Sequence, residues 1–403
     1  MLFFSVLLVA AIIGLICCTG FLVLLLFSVY RFHSRQQTPA EGFQPAVTLL
    51  KPLCGLEPRL AENLESFFLQ VYPQFEIIFG ARNAEDPAIR IVERLMAKYP
   101  YVPARVCYSG EPDRPNAKVC SLEKMVEHAR ADVYIISDSD VQVGPKYIAE
   151  VVAPLADPQV GLVSCLYRGV PTGGLWSRLE ALGMSVEMTS GVVVSNVLEE
   201  MKFALGPTMV VRRDAVEKMG GIGVLAEYCA DDYLLGNLVA GQGLKVVIPN
   251  HVIDHIVLNR SFMDSVRHQV RWMKSTRFSR PKGHFGTALT FAMPFGVLGL
   301  VAGFGAGRPV LALSLLGWAV LNRMIMSLAS GWGVVHDSNA VKYCWLYPLR
   351  DLMGFFFWTA SYWGKEIVWR RERYKLSYGG KMVRVCVEGQ PATSRSVAVD
   401  NLA

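Results

Sequence analysis

Hydrophobic residues form long uninterrupted runs at both ends of the chain and shorter runs in its middle. Residues 2–30 contain no charged side chain, and this run exceeds the roughly 20 apolar residues that a membrane-crossing helix needs. Residues 285–304, 309–330 and 345–369 are again largely apolar and rich in Gly, Phe and Trp. The pattern predicts an N-terminal transmembrane anchor at residues 1–35 and a C-terminal region that returns to the membrane.

The positions of charged residues predict how these segments are oriented. Arg31, His33 and Arg35 follow the first run instead of preceding it, which argues against a cleaved signal peptide and predicts that they stay cytosolic. The basic residues after Trp369 predict a cytosolic tail, residues 370–403, and hence an even number of crossings after the middle domain. Two spans with one interfacial or re-entrant helix satisfy that condition.

Polar residues restrict the C-terminal membrane helices further. Asn322 and Arg323 lie in the second of the apolar segments, and Arg350 and Asp351 lie in the third. Ionisable side chains within membrane segments almost always face the interior of a helix bundle or a water-filled cavity. We therefore expect neither segment to be a plain lipid-facing span.

Between the membrane segments, residues 36–260 alternate between strand-like and helix-like patterns. The alternation predicts parallel βαβ units with helices covering a central sheet, and therefore an α/β domain. The predicted strands are 47–50, 75–81, 105–108, 133–140 and 207–212, and the predicted helices are 61–69, 87–98, 121–129 and 214–219.

Residues 133–140 combine a buried-strand pattern with two carboxylates. Branched and aromatic residues without a polar break predict a strand covered on both faces, and ligands of open parallel sheets bind outside the carboxyl ends of such strands. Asp138 and Asp140 stand at that end, and side chains two apart share a face of a strand. They are candidates to hold one divalent cation that bridges to substrate phosphates. The alternative is a turn in which both only cap the backbone.

Other candidate site residues each have a structural alternative. Asp86 is either the N-cap of a helix or a carboxylate at the mouth of the sheet that meets a base or ribose. Lys118, near a helix N-terminus, is either a phosphate or uracil contact or a solvated surface lysine. Asp231 and Asp232 either cap a helix or supply a base that takes a proton from an acceptor hydroxyl. His255 is a further metal ligand or a hydrogen-bonded core histidine.

Residues 261–284 are predicted to form a basic amphipathic helix. Ser261 begins a capping-box signature, and the six Lys and Arg residues that follow it meet no acidic residue after position 264. Such a helix suits a membrane surface with anionic headgroups. A surface role alone leaves His268 and the Arg271–Trp272 pair without a particular task.

Composition narrows the classes of protein that remain. The chain has 403 residues and a formal net charge of +6, and its nine cysteines show no Cys-x-x-Cys zinc spacing. This cysteine usage predicts a reduced, cytosolic domain. Because a membrane-bound chain without a recognisable reading motif is a poor candidate for nucleic-acid binding, we expect no nucleic-acid partner.

The order of the candidate residues resembles that of membrane glycosyltransferases with a GT-A fold. Asp86, Asp138-x-Asp140, Asp232 and Arg271–Trp272 follow the D, D, D, (Q/R)xxRW pattern. A closer resemblance, spanning nearly the whole chain, is to the ceramide glucosyltransferases and their bacterial relatives that transfer N-acetylglucosamine to the hopanoid bacteriohopanetetrol. The similar segments are LLKPL at 49–53 with Gly55, NLESFF at 63–68, YP at 72–73, DPAI at 86–89, KYP at 98–100 and RYKL at 373–376.

The resemblance implies roles for the acidic residues. Asp86 would contact the nucleotide base. Asp138 and Asp140 would bind the ribose, the diphosphate and a divalent cation, Mg²⁺ or Mn²⁺. Asp232 would be the general base that activates the acceptor.

On the basic helix, the resemblance implies that Arg271 and Trp272 hold the diphosphate and close the acceptor site. His268 stands where the family has Gln or Arg. A neutral imidazole still donates a hydrogen bond to a phosphate, but it lacks the permanent charge of arginine. The contact made by His268 is therefore the point at which this chain departs from the family pattern.

The implied activity is the glycosylation of a lipid. An inverting enzyme would move a single sugar, N-acetylglucosamine or glucose, from a UDP-sugar to the hydroxyl of a membrane lipid, either a hopanoid such as bacteriohopanetetrol or ceramide. Its cytosolic GT-A domain, residues 36–260, would lie between the anchor at 1–35 and a C-terminal part made of the interfacial helix, membrane helices at 285–369 and the tail. We expect an integral protein of a bacterial inner membrane.

Two other classes of protein share some of these features. A processive polysaccharide synthase of the same superfamily has the same sheet and carboxylates, but the few predicted spans and His268 argue against it. A non-catalytic membrane scaffold would use the carboxylates only as helix caps. A polymeric product would distinguish the synthase from an enzyme that adds a single sugar. A lack of stabilisation by UDP or a metal ion would distinguish the scaffold from either enzyme.

Overall fold

The computed structural model describes residues 2–34, 42–257, 261–369 and 372–385. The predicted cytosolic positions of Arg35 and of residues 386–403 lie outside the described residues. Within the described ranges, the eight cysteines are free thiols.

The described strands fall into three sheets. In chain order they are β1 (Val47–Pro52), β2 (Phe75–Ala81), β3 (Ala104–Tyr108), β4 (Val133–Ser137), β5 (Val141–Gln142), β6 (Val160–Ser164), β7 (Leu166–Pro171), β8 (Thr208–Arg212), β9 (Lys245–Val247), β10 (Val252–Val257), β11 (Glu366–Trp369), β12 (Glu372–Leu376) and β13 (Met382–Arg384).

The α-helices cover the central sheet and form the apolar ends of the molecule. In chain order they are α1 (Leu2–Ser34), α2 (Leu60–Phe68), α3 (Ile89–Lys98), α4 (Ala117–Val126), α5 (Tyr147–Val152), α6 (Leu175–Gly183), α7 (Thr189–Leu198), α8 (Arg213–Lys218), α9 (Asp231–Gly241), α10 (Phe262–Ser279), α11 (Pro281–Thr287), α12 (Ala292–Gly305), α13 (Pro309–Met326), α14 (Ser338–Lys342) and α15 (Tyr347–Ala360).

The central sheet has seven strands in the order β3-β2-β1-β4-β8-β6-β9. Strands β3, β2, β1 and β4 are parallel, as the alternating pattern predicted. Strand β8 runs antiparallel to both β4 and β6, which the prediction of uniformly parallel units missed. Every residue of β4 is buried, because neighbouring strands and covering helices enclose it.

A second sheet of three strands, in the order β5-β10-β7, stands beside the carboxyl end of β4. Strand β10 pairs with β5 in antiparallel register, with His255 opposite Val141. This pairing brings His255 next to Asp140, the residue that precedes β5, and the Ile256 amide donates to the Asp140 carbonyl at 2.8 Å.

Three described helices are long and apolar enough to cross a membrane: Leu2–Ser34, Leu175–Leu198 and Pro309–Trp332. A fourth candidate is the pair Pro281–Thr290 and Ala292–Gly305, which is bent by 48°. The N-terminal helix was predicted, whereas Leu175–Leu198 was not. Helix α15 has 14 residues, fewer than the roughly 20 that a span needs.

The last predicted membrane segment therefore differs from the structure. It was expected to run to residue 369, but α15 ends at Ala360 and the chain then forms the antiparallel sheet β11-β12-β13. Trp363 and Tyr362, which made this stretch look membrane-embedded, follow the helix in a turn. Hydropathy alone does not distinguish an aromatic strand from the end of a helix.

Buried ion pairs join the C-terminal helices, and neither polar segment is a plain lipid-facing span. Arg323 of α13 lies 3.0 Å from Asp351 of α15, and both side chains are almost fully buried. Arg350 lies 2.9 Å from Glu187, which belongs to the helix Leu175–Leu198. The pairs connect three apolar helices through their polar residues.

Helix α10 begins where the capping signature predicted, because the Ser261 hydroxyl accepts a hydrogen bond from the Asp264 amide at 3.1 Å. Its buried positions are polar, namely Ser265, Gln269 and Ser275. The apolar side chains predicted to form one stripe are less covered: Phe262 is exposed, and Val266, Val270 and Met273 are partly buried. The helix thus turns a polar face toward the rest of the protein.

Candidate functional site

Asp138 and Asp140 lie in the turn that connects β4 to β5. The Asp138 amide donates to the Pro207 carbonyl at 3.1 Å, and the Val141 amide closes the turn on the Asp138 carbonyl at 3.4 Å. The carboxylates therefore stand beyond the carboxyl end of the strand, as predicted, but they are not on the strand and do not share one of its faces.

Lys51, for which no role was predicted from the sequence, stabilises this turn. Its ammonium group donates to the Asp138 carbonyl at 2.5 Å and lies 3.4 Å from the Ser137 hydroxyl. Burial lowers the pKa of Lys51 to about 7, although the nearby Asp138 and Asp140 carboxylates oppose the shift. The signal in the sequence is a lysine in an otherwise apolar strand.

Lys118 connects two of the candidate carboxylates. Its ammonium group lies 2.6 Å from Asp138 Oδ1 and 3.8 Å from Asp231 Oδ2, and its side chain is 13% exposed. A solvated surface lysine is thereby excluded. Burial would lower the pKa of Lys118, but the Asp138 and Asp231 carboxylates outweigh it and keep the amine charged.

Asn116 positions Lys118, and sequence reasoning missed its role. It is the N-cap of α4, where its side-chain oxygen accepts from the Val119 amide at 3.2 Å. Its amide nitrogen donates to Asp231 Oδ1 at 3.3 Å and to the Tyr228 carbonyl at 2.9 Å. Because this cap starts the helix at Ala117, four residues before the predicted start, Lys118 lies in the first turn.

Asp231 and Asp232 occupy the first turn of α9, and Ala230 is the N-cap residue, so neither carboxylate caps the helix from that position. Asp232 Oδ1 accepts from the Tyr233 amide at 2.8 Å. Burial raises the pKa of Asp232 to about 6, and the negative charge of Asp231 adds to the shift. A carboxylate of this pKa is ionised at neutral pH and remains a usable base.

His255 pairs with Asp140, with 3.3 Å between His255 Nε2 and Asp140 Oδ2. Burial would raise the pKa of Asp140, but His255, with Lys51 and Lys118 nearby, outweighs burial and lowers the pKa. Two buried atoms of this pair, Asp140 Oδ1 and His255 Nδ1, have no hydrogen-bond partner. Such atoms are uncommon in folded proteins and are typical of a site that binds a ligand.

The carboxylate turn fits a divalent cation that is shared with a phosphate. In the described part of the chain, no three His, Cys, Asp or Glu side chains form a ready-made metal cluster. Magnesium commonly takes one or two protein carboxylates and completes its shell with water and substrate phosphates. Asp138 and Asp140 provide that set, and Asp140 Oδ1 is a buried acceptor without a partner.

Asp86 holds the turn that leads into α3 but is not the predicted N-cap, because the N-cap is Ala88 and the helix begins at Ile89. Its carboxylate accepts from the Ala88 amide at 2.9 Å and from the Gly55 amide at 3.0 and 3.1 Å. Gly55 has a φ of 72°, which glycine adopts without strain. The same carboxylate also lines a cavity.

The cavity has a volume of about 250 Å³ and contains both Asp86 and Lys118 in its wall. The lining residues are Leu53, Cys54, Arg82, Asn83, Asp86, Ser109, Gly110, Pro112, Pro115, Ala117, Lys118, Ser121, Trp369, Glu372 and Tyr374. Lys118 joins the cavity to the carboxylate turn, since it contacts Asp138. Trp369, Glu372 and Tyr374 come from the C-terminal sheet and were not predicted to be near the site.

The three candidate residues of α10 have contacts with α6, with one another and with the C-terminal sheet. His268 Nδ1 lies 2.7 Å from Glu180 Oε1, and the His268 and Trp272 rings are 4.2 Å apart. The Arg271 guanidinium lies 5.6 Å from the centre of the Trp369 ring, which places it beside the cavity. Glu180, buried and also bonded to Ser265 at 2.6 Å, was not predicted.

The known proteins to which this chain is similar are glycosyltransferases. The sequence profile described as Glycosyl transferase family 21 matches residues 2–382. Ceramide glucosyltransferase 1 of Caenorhabditis elegans is 25% identical over 363 residues, which is 88% of this chain and 76% of that protein. Ceramide glucosyltransferase of Komagataella phaffii is 34% identical over 142 residues, which is 32% of this chain and 28% of the relative.

Among solved structures, a similar one is the mannosyltransferase PcManGT from Pyrobaculum calidifontis in complex with GDP-Man and Mn²⁺. The TM-score is 0.58 at 19% sequence identity, and the alignment covers 87% of this chain and 99% of that one. At this identity the likeness establishes the fold alone. It confirms the predicted GT-A architecture with apolar helices at its ends.

Proposed function

The chain belongs to glycosyl transferase family 21, and we propose that it moves a single sugar from a UDP-sugar to the hydroxyl of a membrane lipid. The sugar is N-acetylglucosamine or glucose, and the acceptor is a hopanoid such as bacteriohopanetetrol, or ceramide. Relatives named ceramide glucosyltransferases support the lipid acceptor. The apolar helices support a membrane location, and we propose a bacterial inner membrane with the catalytic domain in the cytosol.

One observation carries this proposal. Residues from three separate parts of the chain form a continuous polar network beside the cavity: Asp138, Lys118 and Asp231 are joined by contacts of 2.6 and 3.8 Å. Asp232, with its raised pKa, is the next residue. A buried network of this composition suits a reaction in which a negatively charged group departs beside a cation and a carboxylate takes up a proton.

The donor would occupy the cavity and the carboxylate turn. In this proposal Asp86 contacts the base, Lys118 meets a phosphate, and Arg271, Trp272 and His268 border the diphosphate. Asp138 and Asp140 would hold the divalent cation, Mg²⁺ or Mn²⁺, whose bound charge would stabilise the departing diphosphate. Oriented cations beside a leaving group lower the barrier without reorganising during the reaction.

Asp232 would act as the general base. It takes the proton of the lipid hydroxyl while that oxygen forms a bond to the anomeric carbon of the sugar. The bond between the anomeric carbon and the diphosphate oxygen breaks on the opposite face, and UDP leaves with the electron pair. Attack and departure on opposite faces invert the configuration at the anomeric carbon.

Mass spectrometry of reaction products tests this function. The purified full chain in nanodiscs is supplied with UDP-glucose, UDP-N-acetylglucosamine or GDP-mannose, and with ceramide or bacteriohopanetetrol. We expect one sugar per lipid from a UDP donor in the presence of Mg²⁺ or Mn²⁺. A polymer ladder would instead identify a processive synthase, and GDP-mannose as the accepted donor would contradict the UDP assignment.

A thermal-unfolding measurement tests the remaining alternative, a non-catalytic membrane scaffold. A scaffold predicts neither product nor stabilisation, whereas a ligand present at about a hundred times its Kd stabilises the folded state by about 2.7 kcal/mol. Absence of both product and UDP-dependent stabilisation would therefore contradict the proposal. Dependence on the lipid is checked with an acceptor whose hydroxyls are methylated, from which we expect no product.

A further inference from the structure

The C-terminal sheet contributes one wall of the cavity assigned to the donor. Trp369 of β11 and Glu372 and Tyr374 of β12 line it together with Asp86 and Lys118. The Tyr374 side chain is 5% exposed, and its hydroxyl donates to Glu372, whose other oxygen pairs with Arg384 at 2.6 Å. The aromatic wall is therefore held in place by its own sheet.

Hydrogen bonds fasten this sheet to the segment that leads into the carboxylates of α9. The Cys229 amide donates to the Gly380 carbonyl at 3.0 Å, and the Met382 amide donates to the Glu227 carbonyl at 2.7 Å. Cys229 is also buried against Ile367, Tyr374, Leu376 and Met382. A displacement of the sheet would consequently disturb the chain two residues before Asp231.

The same sheet is tied to the basic helix α10. Lys274 donates to the Glu366 carbonyl at 2.9 Å, and Arg271 stacks on the Trp369 ring at 5.6 Å from its centre. Cation–π contacts of this kind orient a guanidinium without neutralising it. Trp369 is thus in contact with a proposed diphosphate-binding residue and with the cavity.

We propose that Trp369 is a donor-binding residue, and that the C-terminal sheet completes the nucleotide site by offering this ring to the nucleobase, with Tyr374 forming the wall beside it. The inference rests on the proposed UDP-sugar donor and extends it to a part of the chain more than two hundred residues from Asp86 in sequence. A planar base gains affinity by stacking on an aromatic ring, and Asp86 provides a hydrogen-bond acceptor in the same cavity.

Substitution of Trp369 tests the assignment. UDP affinity is measured by calorimetry on the full chain in nanodiscs with Mn²⁺, and KM is measured for donor and lipid. We expect Trp369→Ala to weaken UDP binding and raise the donor KM by about tenfold or more, which is within the range of base stacking. The acceptor KM should stay within about twofold, and Trp369→Phe, which keeps a ring, should recover most of the affinity.

The matched control is Val368→Ala, the preceding residue on the same strand, whose side chain is 62% exposed and does not line the cavity. It should bind UDP like the wild type. UDP affinity of Trp369→Ala within about twofold of the wild type, or an equal loss in Val368→Ala, would overturn the inference.

A measurement on the unaltered protein covers the case in which Trp369→Ala does not fold. Saturating UDP should slow hydrogen exchange in β11 and β12 of the wild type, and unchanged exchange there would overturn the inference as well. Failure of the proposed function is distinguishable, because wild-type protein that binds no UDP contradicts the donor assignment itself. Wild-type protein that binds UDP without engaging Trp369 contradicts only this inference.

Discussion

At the scale of single residues, the carboxylates of the site differ in their neighbours. Asp138 is paired with Lys118, and Asp140 is paired with His255. Asp232 has a burial-raised pKa of about 6 and an acidic neighbour. Carboxylates held charged by cations suit phosphate and metal chemistry, whereas one with a raised pKa suits proton transfer.

The first prediction concerns Asp232. Asp232→Asn keeps the size of the side chain but cannot accept the acceptor proton, so we expect kcat to fall by at least about a hundredfold. The Kd for UDP should stay within about threefold, because the base does not contact the nucleotide in this proposal. Calorimetry and product mass spectrometry measure the two quantities.

The control is Asp214→Asn, a carboxylate in the first turn of α8 that pairs with Lys218 at the surface. It should leave both kcat and UDP affinity unchanged. Substantial turnover by Asp232→Asn would rule out Asp232 as the base.

The pH profile is a second prediction at this scale. Because the base works in its ionised form, kcat/KM should fall as the pH drops below about 6, the pKa of Asp232. Asp231→Asn removes a negative charge beside Asp232, lowers its pKa and should move the acid limb to lower pH. An acid limb that stays in place in Asp231→Asn would show that another group titrates there.

Metal dependence gives a third prediction. Mn²⁺ with UDP should raise the Tm of the wild type, and a chelator should abolish transfer, since the diphosphate charge would then be uncompensated. Asp140→Asn should lose the metal-dependent part of the Tm shift, whereas Asp157→Asn, a surface carboxylate near Lys245, should retain it. Chelator-resistant transfer would count against the cation site.

At the scale of secondary-structure elements, local patterns predicted the strands and helices of the parallel half of the sheet. Strand β2 was predicted at its observed bounds, Phe75–Ala81, whereas the strand predicted over residues 133–140 ends at Ser137, before the two carboxylates. These segments follow from hydrophobic runs and turn residues within a few positions. The direction of β8 did not follow, because strand direction depends on connections that no local pattern encodes.

Elements held by distant contacts were also missed. Helix Leu175–Leu198 is weakly apolar, since it carries Glu180 and Glu187. Glu180 is buried against His268 and Glu187 is partly buried against Arg350, so the sequence shows each charge but not the partner that compensates it. The aromatic strand β11 resembled a membrane segment for the related reason that two of its partners, Arg271 and Lys274 of α10, lie far from it in the chain.

A fourth prediction belongs to helix α4. Asn116→Ala removes the cap and should destabilise the protein by about 1 kcal/mol and raise the donor KM, because Lys118 lies in the first turn of that helix. Asn116→Ser restores a capping oxygen and should recover most of the stability. Chemical denaturation and donor kinetics measure these effects, and an unchanged donor KM in Asn116→Ala would contradict the link between cap and lysine.

At the scale of the whole molecule, the membrane helices are joined by close packing and by buried charge. A side chain at Gly296 or Gly303 of α12 would overlap Ala319 or Ala312 of α13, so small residues allow these helices to approach. Arg323 also donates to the Thr290 carbonyl at 2.7 Å and thereby connects α13 to the bend between α11 and α12. Helix α10, which carries His268, Arg271 and Trp272, leads into this bundle through α11.

The last prediction tests the charge pair that holds the bundle together. Arg323→Met leaves Asp351 buried without its partner and should cost about 3–5 kcal/mol of stability, seen as a lower Tm in detergent. The double variant Arg323→Met/Asp351→Asn has no unpaired charge. Its new amide oxygen can still accept the hydrogen bond that the Met293 amide donates to Asp351 at 2.9 Å. It should recover a large part of the loss. Arg308→Met, at an exposed position before α13, is the control and should be neutral. A double variant no more stable than Arg323→Met would show that the arginine acts through its contact with Thr290, and not through its charge.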